Sequence, residues 1–476
     1  MVGSVAFAQR EDTYNRARVV VRFTEGNEPG NPAGDGLVEY MRARRYERVA
    51  YIERVYAFDV GRELGEERRE VAARWPGVEF AEFDFIGHVA SLPPTDANWC
   101  EQWAFENRGQ TVNGTSGTAT KDICAIKGWS ARTDASSVTI AILDTGVNWQ
   151  HPDLIDNMWV NPGEIAGNGI DDDNNGYVDD VNGVGVEDDL YDPSFCFDSG
   201  NIHPFPEGNP QDIRPACEAF CNYNVPAVDH GYHGTPIAAV IGAKGDNGNQ
   251  VAGTAWRASM MAIRMISCDV TFNLSSAAKA FQYASANGAK IASCSWEPIF
   301  EYSASLELVF KQVRDDGIIV VLCAGNTNTN LDASPPPSFR YPHAFTFANI
   351  VVVMGTDQSG SKWGPSSYGA TSVDIAAPSI NIRTLDNQLV TPAQPVYEGG
   401  TSFAAPMVAA ACGLVWAEHP TWTYSQVISK ILNSGTYDSG LSTYCATGRR
   451  LNLAAALGAT CPSCRPPVTN CYGSCP

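Results

Sequence analysis

Five continuous apolar runs, separated by stretches of helical pattern, limit this chain of 476 residues to few folds. The runs are Val138 to Leu143, Ser259 to Ile266, Lys290 to Ser295, Ile318 to Ala324 and Ile350 to Gly355. Runs that stay apolar at nearly every position are typical of strands buried on both faces of a parallel sheet. The sequence therefore predicts an α/β fold, in which active sites lie at the carboxyl ends of the strands.

A smaller domain is predicted ahead of this sheet, in residues 15–96. Strand patterns alternate with helical ones there, in the order Arg18 to Phe23 (strand), Gly36 to Arg45 (helix), Tyr51 to Val60 (strand), Glu66 to Trp75 (helix) and Val78 to Val89 (strand). We interpret the pattern as the β-α-β-β-α-β order of a small ferredoxin-like α+β sandwich. Leu92 to Asp96, which contains two prolines, is interpreted as a linker.

The two ends of the chain differ in composition from these domains. Val5 to Ala8 is similar to the small-residue end of a signal peptide, so residues 1–14 are either the remnant of one or a short disordered tail. Residues 458–476 are rich in Cys, Pro and Gly, and they contain Cys461, Cys464, Cys471 and Cys475. These four form either disulfides or a four-cysteine zinc site, and an oxidising compartment favours disulfides.

Composition points to a secreted protein. Fifty-three acidic against 32 basic residues give a net charge of -21, which disfavours nucleic acid and anionic membranes. That charge is consistent either with cation binding or with an acidic surface that keeps a secreted protein soluble. No stretch of about 18 uninterrupted apolar residues predicts a membrane span. Fourteen cysteines and the glycosylation acceptors Asn113 and Asn273 indicate an extracellular setting.

Three short segments carry reactive side chains. Asp144 ends an apolar strand, His233 begins a helix of small residues, and Ser402 follows two glycines at the start of an Ala-rich helix that runs to about Trp416. Each segment alone has an ordinary explanation, because such residues also serve as turn residues, structural histidines and helix caps. The helix dipole near Ser402 would favour developing negative charge, and we place Pro406 in the first turn of that helix.

Together these segments resemble the subtilisin-like serine proteases, whose triad follows the chain order Asp, His, Ser. Further matches are His151 to Leu154, Val251 to Ala255, Cys323 to Asn326 and Val373 to Pro378, so the resemblance covers roughly residues 98–456. It implies a parallel-sheet catalytic domain in residues 97–457. It also implies that residues 15–96 are an inhibitory propeptide, with an unrelated accessory domain as the alternative.

The resemblance implies a role for each matching residue. Ser402 would be the nucleophile, His233 the base that takes its proton, and Asp144 the group that fixes the imidazole tautomer. The Asn326 side chain and the backbone N–H of Ser402 would bind the oxyanion. The family usually has histidines where Pro236 and Met407 stand, but neither belongs to the triad.

The resemblance also assigns a substrate pocket, lined by Ser295, Trp296, Glu297 and Gly325. The family usually has glycine in place of Glu297. This carboxylate would either favour basic substrate side chains or point to solvent. Both alternatives remain open at the level of sequence.

An acidic loop in residues 171–180 has oxygen ligands at alternate positions and glycine at the sixth, the spacing of a calcium loop. The expected ligands are Asp171, Asp173, Asn175, the Tyr177 carbonyl and Asp179. The twelfth position is Asn182 rather than glutamate, and a solvated acidic loop is the alternative. Asp153 matches another calcium ligand of the family and is a weaker candidate.

We therefore expect a secreted, monomeric serine endopeptidase that cleaves proteins or peptides through an acyl-enzyme. It would bind structural Ca²⁺ and be made as an autoprocessed zymogen with its own propeptide as intramolecular inhibitor. The alternative from another class is a catalytically silent relative that uses the fold for binding, although Asp144, His233, Asn326 and Ser402 are all present. A lipase-like hydrolase is disfavoured, because no Gly-x-Ser-x-Gly elbow surrounds Ser402.

Overall fold

A computed structural model describes residues 14–43, 45–48, 54–60, 65–85, 93–186, 233–266, 272–298, 300–386 and 395–461. The chain forms two compact units that divide between residues 90 and 91. The predicted signal-peptide remnant Val5 to Ala8 and the cysteines Cys464, Cys471 and Cys475 lie outside the described residues.

The N-terminal unit has the predicted β-α-β-β-α-β order, although the sequence assigned only five of its six elements to segments. These are β1 Tyr14–Phe23, α1 Pro32–Met41, β2 Arg45–Arg48, β3 Val55–Asp59, α2 Gly65–Ala72 and β4 Val78–Phe85. The strands form an antiparallel sheet in the order β2-β3-β1-β4. Val19, Val21 and Phe23 alternate along β1 and pack against Leu37 and Met41 of α1 in a core of their own.

The predicted first helix of this unit was placed about four residues too late. It begins at Pro32, where the fixed φ of proline suits the first helical position, and its C-cap Arg42 has left-handed backbone dihedrals. Arg45, predicted as the end of the helix, is instead the first residue of β2.

The second unit contains the remaining elements. Its strands are β5 Thr111–Val112, β6 Thr115–Ser116, β7 Asp134–Asp144, β8 Gly183–Gly185, β9 Arg257–Arg264, β10 Ile291–Cys294, β11 Ile319–Cys323, β12 Ile350–Thr356, β13 Ile375–Pro378, β14 Ile382–Thr384, β15 Val396–Glu398, β16 Thr436–Tyr437 and β17 Arg449–Arg450. Its α-helices are α3 Ala125–Trp129, α4 Gly234–Gly242, α5 Leu274–Ala286, α6 Ala304–Asp315, α7 Thr401–Glu418, α8 Tyr424–Ser434 and α9 Leu453–Ala456.

The five apolar runs become β7, β9, β10, β11 and β12, which confirms the predicted α/β fold. They belong to a sheet of nine described strands in the order β16-β17-β13-β12-β11-β10-β7-β9-β8. All neighbours run parallel except β16 and β17. Helices α4 and α7 contribute to the core on one face, and α5 and α6 to the core on the other.

Helix α7 is buried along almost its whole length, from Thr401 to Ala417. Within the described residues it is the one helix long and apolar enough to cross a membrane, but 94% of it is buried inside the protein. Pro406 is its sixth residue, so our placement of this proline in the first turn was wrong. The N–H that proline lacks would have bonded the Ser402 carbonyl, which instead accepts a hydrogen bond from Ser295 Oγ at 2.8 Å.

Three long-range contacts were not expected from the sequence. Thr95 hydrogen-bonds Asp246 and Ala97 N donates to Asn249 O, so the end of the predicted linker belongs to the second unit. Cys124 and Cys461 form a disulfide across 337 positions. The alternative of a zinc site made by all four C-terminal cysteines was therefore wrong.

Candidate active site

Asp144 and His233 meet at the carboxyl edge of the sheet. Asp144 is the fully buried last residue of β7, and its Oδ1 lies 2.8 Å from His233 Nδ1. His233 caps α4, and a Cβ at the next residue, Gly234, would come within 1.9 Å of Gly146 O. Only glycine permits this approach, which places the imidazole beside the carboxylate.

The environment raises the pKa of His233. Burial lowers this pKa, but the charge of Asp144 and its hydrogen bond raise it more, and the charge of Glu398 raises it further. Glu398 ends β15, four residues before Ser402. No sequence pattern selects this residue, because its influence depends on how the β14–β15 hairpin folds.

Ser402 is the second residue of α7 and is 7% exposed. The helix cap is Gly400, whose φ of +143° turns the chain sharply into the helix, so Ser402 is not itself the cap. Its hydroxyl donates to Ser295 O at 3.2 Å and, among the described residues, has no hydrogen bond to His233. The rings of His233 and Phe403 lie 6.1 Å apart, so the histidine stands beside the start of α7.

Asn326 follows β11 and faces the same helix start. Its Oδ1 accepts hydrogen bonds from Thr401 N at 2.8 Å and from Thr401 Oγ1 at 3.1 Å. This leaves the Nδ2 group without a partner among the described residues. The structure therefore brings together the four predicted catalytic residues, with an amide donor free to bind an anion.

The four predicted pocket residues lie at the ends of β10 and β11. Ser295 and Trp296 are buried, and Gly325 has a φ of +101°. Glu297 is half-buried, and its Oε1 accepts the backbone N–H of Asn326 at 2.8 Å, a contact that the sequence did not indicate.

The acidic loop contains a cluster of three carboxylates. Oxygens of Glu164, Asp173 and Asp180 lie within 4.8 Å of one another, and Asp180 is fully buried. Asn161 Nδ2 donates to both aspartates, and the hydroxyl of Tyr283 donates to Asp180 at 2.5 Å. No Lys or Arg of the described residues is ion-paired with the cluster, so its charge repulsion favours a bound cation.

The cluster differs from the ligand set that spacing predicts. Asp173 is common to both sets, whereas Asp171 accepts the N–H groups of Asn175 and Gly176. The carboxylate of Asp179 accepts three other backbone N–H groups, from Gly167, Asn168 and Gly169. The Tyr177 ring contacts the ring of Tyr283. Glu164 and Asp180 belong to the cluster but not to the ligand set that spacing predicts.

The other candidate ligand, Asp153, lies near a second buried carboxylate, Asp96. The fully buried carboxylate of Asp153 accepts hydrogen bonds from Asn247 Nδ2 and from the N–H groups of Gln250 and Val251. Burial raises the pKa of the nearby Asp96 carboxyl to about 6, although its backbone hydrogen bonds lower it. Asp96 Oδ1 is buried with no hydrogen-bond partner among the described residues. No sequence pattern predicts Asp96 at this place.

The second unit matches the sequence model of a known protein family. The subtilase family, Peptidase_S8, matches residues 135–448, which include all four candidate catalytic residues. The chain belongs to the subtilase family.

Individual relatives extend the comparison. An extracellular protease of Xanthomonas campestris is 28% identical over 77% of this chain, and the match covers 56% of that protein. Subtilisin BL of Lederbergia lenta is 32% identical over 44% of this chain and 74% of its own length. A solved protease structure from Pseudoalteromonas arctica covers 77% of this chain and 99% of its own, with a TM-score of 0.56 and 23% identity, which shows a shared fold. The chain spans little more than half the length of its Xanthomonas relative.

Proposed function

We propose that this protein is a secreted serine endopeptidase in which Asp144, His233 and Ser402 are the triad. The observation that carries the proposal is the 2.8 Å contact between Asp144 Oδ1 and His233 Nδ1 beside the start of α7. A carboxylate bound to Nδ1 holds the proton there and leaves Nε2 free to act as a base. The disulfide and the extracellular relative support secretion.

The reaction begins with a rotation of the Ser402 hydroxyl from Ser295 O toward His233, since contacts of this kind tighten when substrate binds. Ser402 Oγ attacks the peptide carbonyl carbon while His233 Nε2 takes the hydroxyl proton of Ser402. The tetrahedral oxyanion accepts hydrogen bonds from Asn326 Nδ2 and from the Ser402 backbone N–H. His233 then protonates the leaving amine, and water hydrolyses the acyl-enzyme by the same route.

The test of this mechanism is Ser402→Ala. Turnover of casein or a peptide should fall by about 10⁶, the scale of the loss when a subtilisin is deprived of its nucleophile. Ser305→Ala, an exposed serine on α6, is the matched control and should retain full activity. Undiminished hydrolysis in pure Ser402→Ala protein would rule out this mechanism. A wild-type protein that fails to react with a fluorophosphonate would instead indicate a silent binding relative.

We also propose that residues 15–96 act as an inhibitory propeptide. The support is the order β-α-β-β-α-β, which forms a separate unit with its own core ahead of the catalytic domain. The protein would then be made as a zymogen that cuts itself, and its partners would be substrates and its own propeptide.

Structural calcium is the third part of the proposal. The donor set of Glu164, Asp173 and Asp180 fits this hard cation, which prefers carboxylate oxygens. The amides of Asn161 and Asn175 orient Asp173 and Asp180. The ion would stabilise the loop and take no part in peptide hydrolysis.

A further inference from the structure

The chain leaves the sheet just before the proposed oxyanion residue. Strand β11 ends at Cys323, and Gly325 then adopts a φ of +101°. The backbone N–H groups of Gly325 and Asn326 are both bonded by side chains. Gly325 N donates to Thr401 Oγ1 at 3.0 Å, and Asn326 N donates to Glu297 Oε1 at 2.8 Å.

Asn326 is therefore held at both ends. Thr401 binds its side-chain Oδ1, and Glu297 binds its backbone N–H. The side-chain Nδ2, which would donate to the oxyanion, has no partner among the described residues. A hydrogen bond to a carboxylate is stronger than one to a neutral acceptor, so Glu297 contributes substantially to this arrangement.

The segment that carries Glu297 lies next to the turn at Gly325. A Cβ built at Gly325 would lie 3.3 Å from Pro298 Cδ and 3.7 Å from Glu297 Cδ. The end of β10 and the turn after β11 thus contact each other through Glu297 and Pro298. A glycine at position 297 would offer no acceptor to the Asn326 N–H.

We propose that Glu297 is a positioning residue of the oxyanion hole, acting through the backbone of Asn326. This inference rests on the proposed function. Oxyanion donors stabilise a transition state only when they are in place before the reaction, and small displacements of such groups reduce the rate. Glu297 serves this purpose by fixing the start of the turn that presents Nδ2.

The experiment compares kcat and KM of Glu297→Ala, Glu297→Gln and Glu297→Asp on a neutral peptide substrate. Glu297→Ala should lose about tenfold or more in kcat, with KM nearly unchanged, but less than the loss of about 10²–10³ expected for Asn326→Ala. Glu297→Gln keeps an acceptor oxygen at the same distance and should recover most of that loss. Glu297→Asp keeps the charge but withdraws the acceptor, so it should resemble Glu297→Ala.

The double variant Glu297→Ala/Asn326→Ala gives the decisive measurement. If Glu297 acts through Asn326, the double variant should have the kcat of Asn326→Ala alone. Losses that multiply, a change in KM alone, or unchanged kcat in Glu297→Ala would each overturn the inference. Glu301→Ala, an exposed carboxylate on the same connection, is the matched control and should not change kcat.

Two control measurements distinguish failure of this inference from misfolding of a variant and from failure of the proposed function. Thermal melting of each variant reports folding, and if Glu297→Ala does not fold, the comparison of Glu297→Gln with Glu297→Asp still decides. A wild-type protein that neither hydrolyses the peptide nor reacts with a fluorophosphonate would refute the proposed function. Active wild-type protein whose Glu297 variants keep full kcat would refute only the inference.

Discussion

Ser295 contacts Ser402 through both its carbonyl and its hydroxyl. The carbonyl accepts the Ser402 hydroxyl, and the hydroxyl donates to the Ser402 carbonyl. Pro406 has no N–H to give to that carbonyl, so the Ser295 hydroxyl is a donor in place of the missing helical one. A proline inside a helix, usually unfavourable, here frees a carbonyl that fastens α7 to the end of β10.

A prediction at this scale concerns Glu398. His233 must be neutral to act as a base, so kcat/KM should fall as the pH drops through the His233 pKa. The charges of Asp144 and Glu398 raise that pKa above 6.5, despite the opposing effect of burial. Glu398→Gln removes one raising charge, so the acidic limb of kcat/KM should move to lower pH.

The measurement is kcat/KM across the pH range in which His233 titrates, at constant ionic strength. Glu301→Gln, an exposed carboxylate, should leave the limb in place. High salt should reduce the difference between wild type and Glu398→Gln if this charge is solvent-screened. An acidic limb that stays fixed or moves to higher pH in Glu398→Gln would contradict the prediction.

At the scale of elements, continuous apolar runs were sufficient to predict the central strands. Each of the five agrees with its strand within about four residues, because the parts of these strands that are buried on both faces are apolar at nearly every position. Short strands such as β2, β8 and β17 have no such signal. Their positions depend on pairing with neighbours, which a local pattern does not encode.

The features of the candidate site also fall into two groups, those that the sequence indicated and those that it did not. Asp144, His233, Asn326 and Ser402 lie in segments that resemble a known family, so sequence indicated them together. Contacts made between distant segments left no local signal. Examples are the charge of Glu398 near His233, the bond from Asn326 to Glu297, and the approach of Glu164 to Asp180.

The acidic loop supplies a prediction for this scale. A cation that binds only the folded protein stabilises it by RT ln(1 + [L]/Kd), which is about 2.7 kcal/mol at 100 times Kd. Chelation should therefore lower the melting temperature of the wild-type protein. Asp173→Asn removes one carboxylate of the cluster and should reduce the calcium-dependent part of that shift.

Asp172→Asn is the matched control. Asp172 lies in the same loop, but its carboxylate binds Ile165 N and Asn168 Nδ2 rather than the cluster. The calcium-dependent shift in the melting temperature of Asp172→Asn protein should equal that of wild type. Equal shifts in all three proteins would mean that the loop is merely solvated, with calcium stabilising the protein elsewhere.

At the scale of the whole molecule, the boundary between the units lies earlier than sequence indicated. The predicted boundary was residue 96, whereas the units divide between residues 90 and 91. Asp96, Ala97 and Asn98 are hydrogen-bonded to the segment from Asp246 to Gln250. A cut before residue 94 would leave these contacts within the mature catalytic domain.

The last prediction follows from that boundary. If residues 15–96 contain a propeptide that the enzyme removes itself, active protein should begin between about Val89 and Pro94, and Ser402→Ala protein should stay at full length. N-terminal sequencing and intact mass measure both. Trace wild-type enzyme added to the Ser402→Ala precursor distinguishes cutting between molecules from cutting within one. Active enzyme that still begins before residue 20, or pure Ser402→Ala protein that is processed at the same site, would show that the N-terminal unit is not removed by this triad.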